Sequence, residues 1–408
     1  MRLSYTQRNR GMHYMESSLK KRNELWDRLY QKLNTRLNDV AFIELNKNVA
    51  LNDSLKISKG IPLPLKSEYL VQGIKSNDYA DHIKLDKIVI SMMYVLGCTN
   101  DFKYKSEYIK ILKSTGVDID SYIMTIALNR AKEEKYWDAL ILLIALDKIS
   151  DMHKYIRYNI ALTLKQLTSS RAELLKKSNK KEAKDEEYEL YYNLSFTEFL
   201  KLEKDYPDFG ITGYHLGFYY LNEKKYSMAL SEWERVMDSD EDESVKDEVS
   251  KLIEELKDIM EFEYGKKCII EDNLLGGLRR LIPLVKKYDD WSEAKYFTAL
   301  AYRKLGNYKK AMSLLNELIE SGEDFSEIYN ELGLCYISFG DIKNAIENLE
   351  RAVKAKEYDT GYLCNLGIAY YSAGKTKKAK ECIYKAYSIS PDDEITKQCK
   401  IWADSIIE

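Results

Sequence analysis

The strongest constraint on this chain is a recurrence of small and bulky residues. Tyr329, Leu332, Gly333 and Tyr336 stand at offsets 0, 3, 4 and 7, followed by Ala345, Leu349 and Ala352. Thirty-four residues on, the figure returns as Leu363, Leu366, Gly367, Tyr370, Ala379, Ile383 and Ala386, and it closes at Pro391. Spacings of three and four place residues on one helical face. Each copy therefore reads as two helices, one carrying Leu332, Gly333 and Tyr336, the other Ala345, Leu349 and Ala352. Helix axes pack about 8–10 Å apart, and glycine facing alanine permits the short end of that range. Gly340 offers a left-handed residue to end the first helix. Asp341 can cap the second. Pro391 falls where that helix has ended. One such pair cannot cover its own apolar faces, so neighbours must stack.

These residues resemble the tetratricopeptide repeat (TPR), a helix–turn–helix unit with the pattern W-x2-L-G-x2-Y, A-x3-F, P. The resemblance spans roughly 86–391, and it is specific over 210–243 and 292–391. It implies an all-α fold: a right-handed α-solenoid of TPR-like helical hairpins, with an N-terminal helical extension and a C-terminal capping helix.

Walking the frame along the chain divides it into segments. Residues 1–80 read as an arm, an amphipathic helix from 16 to about 45, and a proline-containing strap. Leu19, Trp26, Leu33 and Val40 recur every seven residues in that helix. Basic side chains dominate residues 1–36. They form either a solvated face or a surface for an acidic partner, another part of this chain included. The strap, Ile61-Pro62-Leu63-Pro64-Leu65, must be extended, and a short helix over 67–74 follows. Residues 81–243 hold degenerate TPR-like units at 86–119, 120–153 and from 154, then a clear fourth unit at 210–243. The third is interrupted near 169–187 by an alternating-charge insertion without glycine or proline. It reads as an extended charged hairpin with its tip near Ser178 and Asn179, or else as a linker. Residues 244–291 form an elongated unit in which Pro283 should kink the second helix, bending the stack or marking a seam. Residues 292–393 are regular units. Residues 394–408 read as the capping helix, with Ile395, Ile401, Trp402 and Ile406 as its apolar residues.

Composition narrows the function. Lys and Arg number 63 against 66 Asp and Glu, so balance gives no case for nucleic acid. No apolar run reaches the roughly 18 residues of a membrane helix, and the N-terminus lacks the apolar core of a secretory signal. The six cysteines, Cys98, Cys268, Cys335, Cys364, Cys382 and Cys399, form no C-x2-C pair. Reduced thiols in a cytoplasmic protein are expected. The four histidines are scattered, and no Walker, G-x-S-x-G, H-E-x2-H or G-x-G-x2-G motif occurs. A calcium loop at 238–249 fails, because Glu243 and Val249 stand where glycine and a bidentate glutamate belong. No catalytic residue, metal or cofactor is expected.

The resemblance places a binding groove on the first helices of the repeats. Mapped onto this chain, the family's groove positions fall on Tyr214, His215, Phe218 and Asn222 in the fourth unit, and on Tyr296, Leu300, Arg303 and Lys304 in the sixth. The seventh offers Asn330, Leu334 and Ile337, and the eighth Asn365, Ile368 and Tyr371. The candidate site is Tyr214, Phe218, Tyr296, Arg303, Asn330, Leu334, Asn365, Ile368 and Tyr371. Aromatic rings can bury a peptide's apolar side chains, and an amide can pair with peptide N–H and C=O together. Some of these residues could instead pack between repeats, Tyr296, Leu300 and Phe218 above all. The family's carboxylate clamp is incomplete, because Tyr296 with Leu300 and Asn330 with Leu334 replace its Lys and Asn. The expected function is a scaffold or adaptor binding a peptide or protein segment. A peptide-responsive bacterial regulator is the alternative, and an enzyme with accessory repeats a third reading.

Overall fold

The computed structural model describes residues 16–50, 56–76, 84–178 and 185–406. The chain divides into two compact units, Met1–Ile253 and Glu254–Glu408. Both are built of helices, with two short two-stranded ladders near the N-terminus.

In the first unit, α1 (Arg22–Thr35) ends well before residue 45. A 3-10 turn over Arg36–Asp39 leads into β1 (Val40–Ile43). The expected helix to about 45 is therefore corrected. The seven-residue spacing continued through Val40, but Asn38 and Asp39 favour a turn, and Val40, Phe42 and Ile43 suit a strand. Residues Val49–Ala50 (β2) and Lys56–Ile57 (β3) pair with each other. The strap is β4 (Leu63–Lys66), antiparallel to β1 with Phe42 opposite Pro64. Leu63 and Leu65 are buried, and the Tyr108 hydroxyl donates to the Pro62 carbonyl at 2.5 Å. A short helix, α2 (Ser67–Ser76), follows.

The core of this unit is a pair of helices apolar on every side. Every residue from Ile88 to Cys98 of α3 (Leu85–Cys98) is buried, as is every residue from Ala139 to Leu146 of the later helix Tyr136–Asp147. Gly97 lets them cross closely: a Cβ there would collide with the Ile141 carbonyl. Residues 86–119 were expected to pair as a hairpin. Instead α3 packs chiefly on the helix Tyr136–Asp147, and α4 (Lys105–Lys113) covers one flank. A helix without a polar face belongs at the centre of a core, not in one layer of a stack. Hairpins proper begin with α5 (Ile119–Lys132) and α6 (Tyr136–Asp147).

Next come α7 (His153–Lys177) and α8 (Glu186–Asp205), two long helices that run up to the charged insertion. Ser178 caps α7, whereas Asn179, the other half of the expected tip, lies outside the described residues. Near that end, Arg171 grips Asp185 through two bonds of 2.9 and 2.7 Å and holds its carboxyl down at about 2. Along α8 the N-terminal helix docks. Arg22 bonds both oxygens of buried Glu198 at 2.6 and 2.9 Å, the Trp26 indole donates to it at 2.6 Å, and Lys32 reaches Glu187. The basic face of α1 thus meets acidic residues of its own chain. Leu29 and Leu33 are fully buried beneath it, each worth roughly 1.5–3 kcal/mol.

The fourth hairpin is α9 (Ile211–Asn222) and α10 (Tyr226–Met237), crossing where Gly217 meets the Trp233 indole. Its junction with α8 carries a strained charge balance. Arg235 lies 3.2 Å from both Glu203 and Glu232. One guanidinium cannot neutralise two buried carboxylates. Burial, then the charge of Glu203, pushes Glu232 up to about 8, and burial raises Glu203 too.

The helix α11 (Glu243–Ile270) begins in the first unit and ends in the second. The unit boundary thus falls within this helix and not at Pro283, which lies inside an unbroken α12 (Leu274–Lys287). Gly265 and Gly277 mark the crossing of these two helices, facing Leu281 and Ile269. Three regular hairpins complete the second unit: α13 (Ser292–Lys304) with α14 (Tyr308–Glu320), α15 (Ser326–Phe339) with α16 (Ile342–Ala355), and α17 (Thr360–Ser372) with α18 (Thr376–Ile389). Gly340 ends α15 in the left-handed conformation, φ 77°, and the Asp341 side chain accepts from the Asn344 N–H at 3.2 Å. The last helix, α19 (Glu394–Ser405), turns Thr396 and Ala403 inward, while Ile395 and Ile401 are 63% and 69% exposed. The two isoleucines fall off the inward stripe and do not close the stack as expected.

Gly333 sets the spacing between α15 and α16, since a Cβ there would stand 2.5 Å from Leu349 Cγ. Gly333→Leu should cost about 1–3 kcal/mol through overpacking, read as a lower melting temperature of the second unit. The Glu203–Glu232 pair predicts a pH effect. Because folding raises Glu232 from its ordinary 4.5, the folded chain holds an extra proton between those values. The contribution of this pair to stability should then be fully present below the ordinary glutamate range and be lost as pH rises through the raised Glu232 value. Glu203→Gln should flatten that slope in thermal melts recorded across this range.

Candidate functional site

The first helices of the three regular hairpins, α13, α15 and α17, bring three of the sequence-derived residues into one polar ladder. Arg303 donates to Glu331, whose other oxygen accepts from Asn330 Nδ2 at 3.3 Å. Asn330 Oδ1 accepts from Asn365 Nδ2 at 2.9 Å. The ladder thus runs side chain to side chain across three consecutive hairpins. Glu331 is buried and was missed by the sequence reading, although it occupies the sixth position of its repeat, one of those the family turns toward the groove. Asn330 is buried as well. Its amide is already committed to Glu331 and Asn365, so it braces the helices and is not a free clamp for peptide.

Apolar side chains border the ladder. Leu334 is half-buried on α15, and Ile368 and Tyr371 on α17 are 39% and 42% exposed. The Tyr371 ring meets Trp402 of α19 edge-on at 5.0 Å. Trp402, placed by sequence in the capping helix alone, therefore also supports the edge of the site. Tyr296 does not belong with these residues. Its ring packs edge-on against Phe325 at 5.6 Å and Phe297 at 5.5 Å, and burial drives its hydroxyl far above the usual tyrosine range. Half-buried, it packs between hairpins.

In the first unit the two remaining candidates lie on α9. Tyr214 is half-buried and donates to Glu248 at 2.7 Å; burial, then that bond, pushes it up to about 12. Phe218 stands edge-on to Tyr214 at 5.2 Å and Trp233 at 5.4 Å. His215 is buried, stacked on Phe199 at 4.7 Å and 3.1 Å from the Tyr158 hydroxyl. Burial, reinforced by Lys165, pushes it down to about 3, so it is a neutral interior histidine. Among the described residues no group of His, Cys, Asp and Glu is arranged to hold a metal, and no helix is long and apolar enough to cross a membrane. All six cysteines are free, and burial pushes Cys98, Cys335 and Cys364 up to about 12.

Stacked helical hairpins with small residues at their crossings and a side-chain ladder across successive first helices define an all-α solenoid of repeats. A sequence profile described as "Psidin, N-terminal TPR repeats region" matches residues 268–403, and that stretch carries tetratricopeptide repeats. No curated protein matches it. Solved structures similar to it include YrrB, described as a TPR protein with an unusual peptide-binding site, at 16% identity over 50% of this chain and 97% of that one, TM-score 0.34. TTC0263, a thermophilic TPR protein in Thermus thermophilus, is 17% identical over 48% of this chain and 100% of its own, TM-score 0.33. A MamA RS-1 double mutant is 20% identical over 36% and 83%, TM-score 0.33.

Proposed function

We propose that this protein is a cytoplasmic scaffold or adaptor that binds a peptide or protein segment along the first helices of its repeats. The observation that carries this reading is the ladder Arg303–Glu331–Asn330–Asn365. A buried polar chain of this kind rigidifies its surroundings when its members are paired. Here it fixes the helices that present Leu334, Ile368 and Tyr371. Exposed apolar side chains on a rigid frame lose little entropy on binding, and such anchors carry most of the energy of an interface.

The double variant Leu334→Asp/Ile368→Asp tests this. Proteins captured from lysate by the wild-type chain should be lost by the variant, with affinity reduced at least about tenfold, roughly 1.4 kcal/mol. The melting temperature should stay within a few degrees. Unchanged capture by a folded variant would rule the site out.

A further inference from the structure

The helices α7, α8 and α9 enclose a cleft of about 160 Å³. It exists because the third hairpin is longer than a repeat requires, so its two helices stand beside α9. One wall is a chain of rings. Tyr188 stacks on Tyr192 at 6.0 Å, and Tyr192 meets Tyr219 edge-on at 4.9 Å. That wall is anchored, since the Tyr219 hydroxyl donates to Ser195 Oγ at 2.8 Å and Ser195 to the Ala161 carbonyl at 2.7 Å. Phe218 forms part of the lining, with Asn222 one turn further along α9. A cavity of about 150 Å³ admits benzene, so the cleft has room for one aromatic or branched aliphatic side chain.

Its charge comes from Lys165. The ammonium lies 5.5 Å from the centre of the Phe218 ring and 3.3 Å from His215 Nδ1. His215 is neutral, so it accepts a hydrogen bond without balancing the charge. Among the described residues no carboxylate comes within ion-pair distance of Lys165. Glu134 and Glu173 line a neighbouring cleft that also touches Lys165, but neither pairs with it. Burial accordingly lowers the Lys165 pKa. A half-buried ammonium without a counter-charge is unfavourable, and an incoming anion relieves it.

We propose that this cleft seats one aromatic or large aliphatic side chain of a protein segment, with a carboxylate beside that side chain pairing with Lys165. The Asn222 amide can bond the segment's backbone N–H and C=O together. The occupant is thus an acidic–apolar motif, and the inference rests on the scaffold reading only in taking a protein segment as the ligand. It uses none of the residues of the α13–α17 site.

Three probes test it on the full chain by NMR shift perturbation: the capped dipeptides acetyl-Asp-Phe-amide, acetyl-Asn-Phe-amide and acetyl-Asp-Ser-amide. The first should shift signals of Tyr192, Phe218 and Asn222 and bind at least about tenfold more tightly than the other two, a difference of about 1.4 kcal/mol. Lys165→Met should erase the preference for Asp over Asn while leaving the fold intact, and Lys165→Arg should keep it. Equal binding of the Asp and Asn probes by the wild type, a preference that survives Lys165→Met, or no shift in the cleft would overturn the proposal. So would self-association that Phe218→Ala abolishes, which would make a second copy the occupant. Failure of all three probes alongside intact capture through Leu334 and Ile368 would remove this cleft and leave the scaffold reading standing.

Discussion

The architecture depends on close helix crossings in which a glycine on one helix receives a bulky side chain from the next. Gly333 faces Leu349, Gly367 faces Ile383, Gly217 faces Trp233, and Gly277 faces Ile269. In each, an added Cβ would have nowhere to go, so the spacing is set by contact and not by a loop. Protein interiors are packed as tightly as crystals, and such contacts fix position to within fractions of an ångström. A register set this way at these crossings lets polar groups on successive hairpins meet with hydrogen-bonding geometry. The ladder from Arg303 to Asn365 is the result.

The first unit solves a different problem with the same physics. Its central helices α3 and α6 have no polar face, so they need covering all round. The strand β4, the helices α4, α5 and α7, and the docked α1 supply that cover. The cover is held by a few strong polar contacts, chiefly Arg22 and Trp26 on Glu198. Glu198 is almost wholly buried, and its two partners make that burial tolerable. The same logic fails locally at Glu203 and Glu232, where one Arg235 serves two carboxylates and a proton must serve as the other counter-charge.

How far the site could be read from sequence varied with what each residue does. Arg303, Asn330 and Asn365 were legible because repeat position predicts facing, and the ladder joins these very positions. Their role was not legible, because whether an asparagine greets a ligand or its neighbour depends on a distance of 2.9 Å between hairpins. Tyr296 was misassigned for the same reason: its position allowed either groove or interior, and Phe325 decided it. Glu331 was overlooked because an acidic residue on a charged chain attracts no notice until Arg303 is seen beside it. Lys165 carried no signal at all, since its surroundings are assembled from three helices.

By itself the sequence determined the repeat. The 34-residue spacing of Gly306, Gly340 and Gly374, each at positive φ in the turn between paired helices, is local chemistry, and local chemistry needs no fold to be read. The same left-handed turn is taken by Glu134, Lys224 and Asp272 in the earlier hairpins, where no glycine announces it and packing imposes the conformation. Only the tertiary structure decided that Val40–Ile43 leaves the helix to pair with a strand some twenty residues on, that α3 packs chiefly on α6 with α4 at its flank, and that Lys165 stands among rings without a counter-charge. Each is a contact between residues distant in the chain, and its energy belongs to the pair and not to either sequence alone.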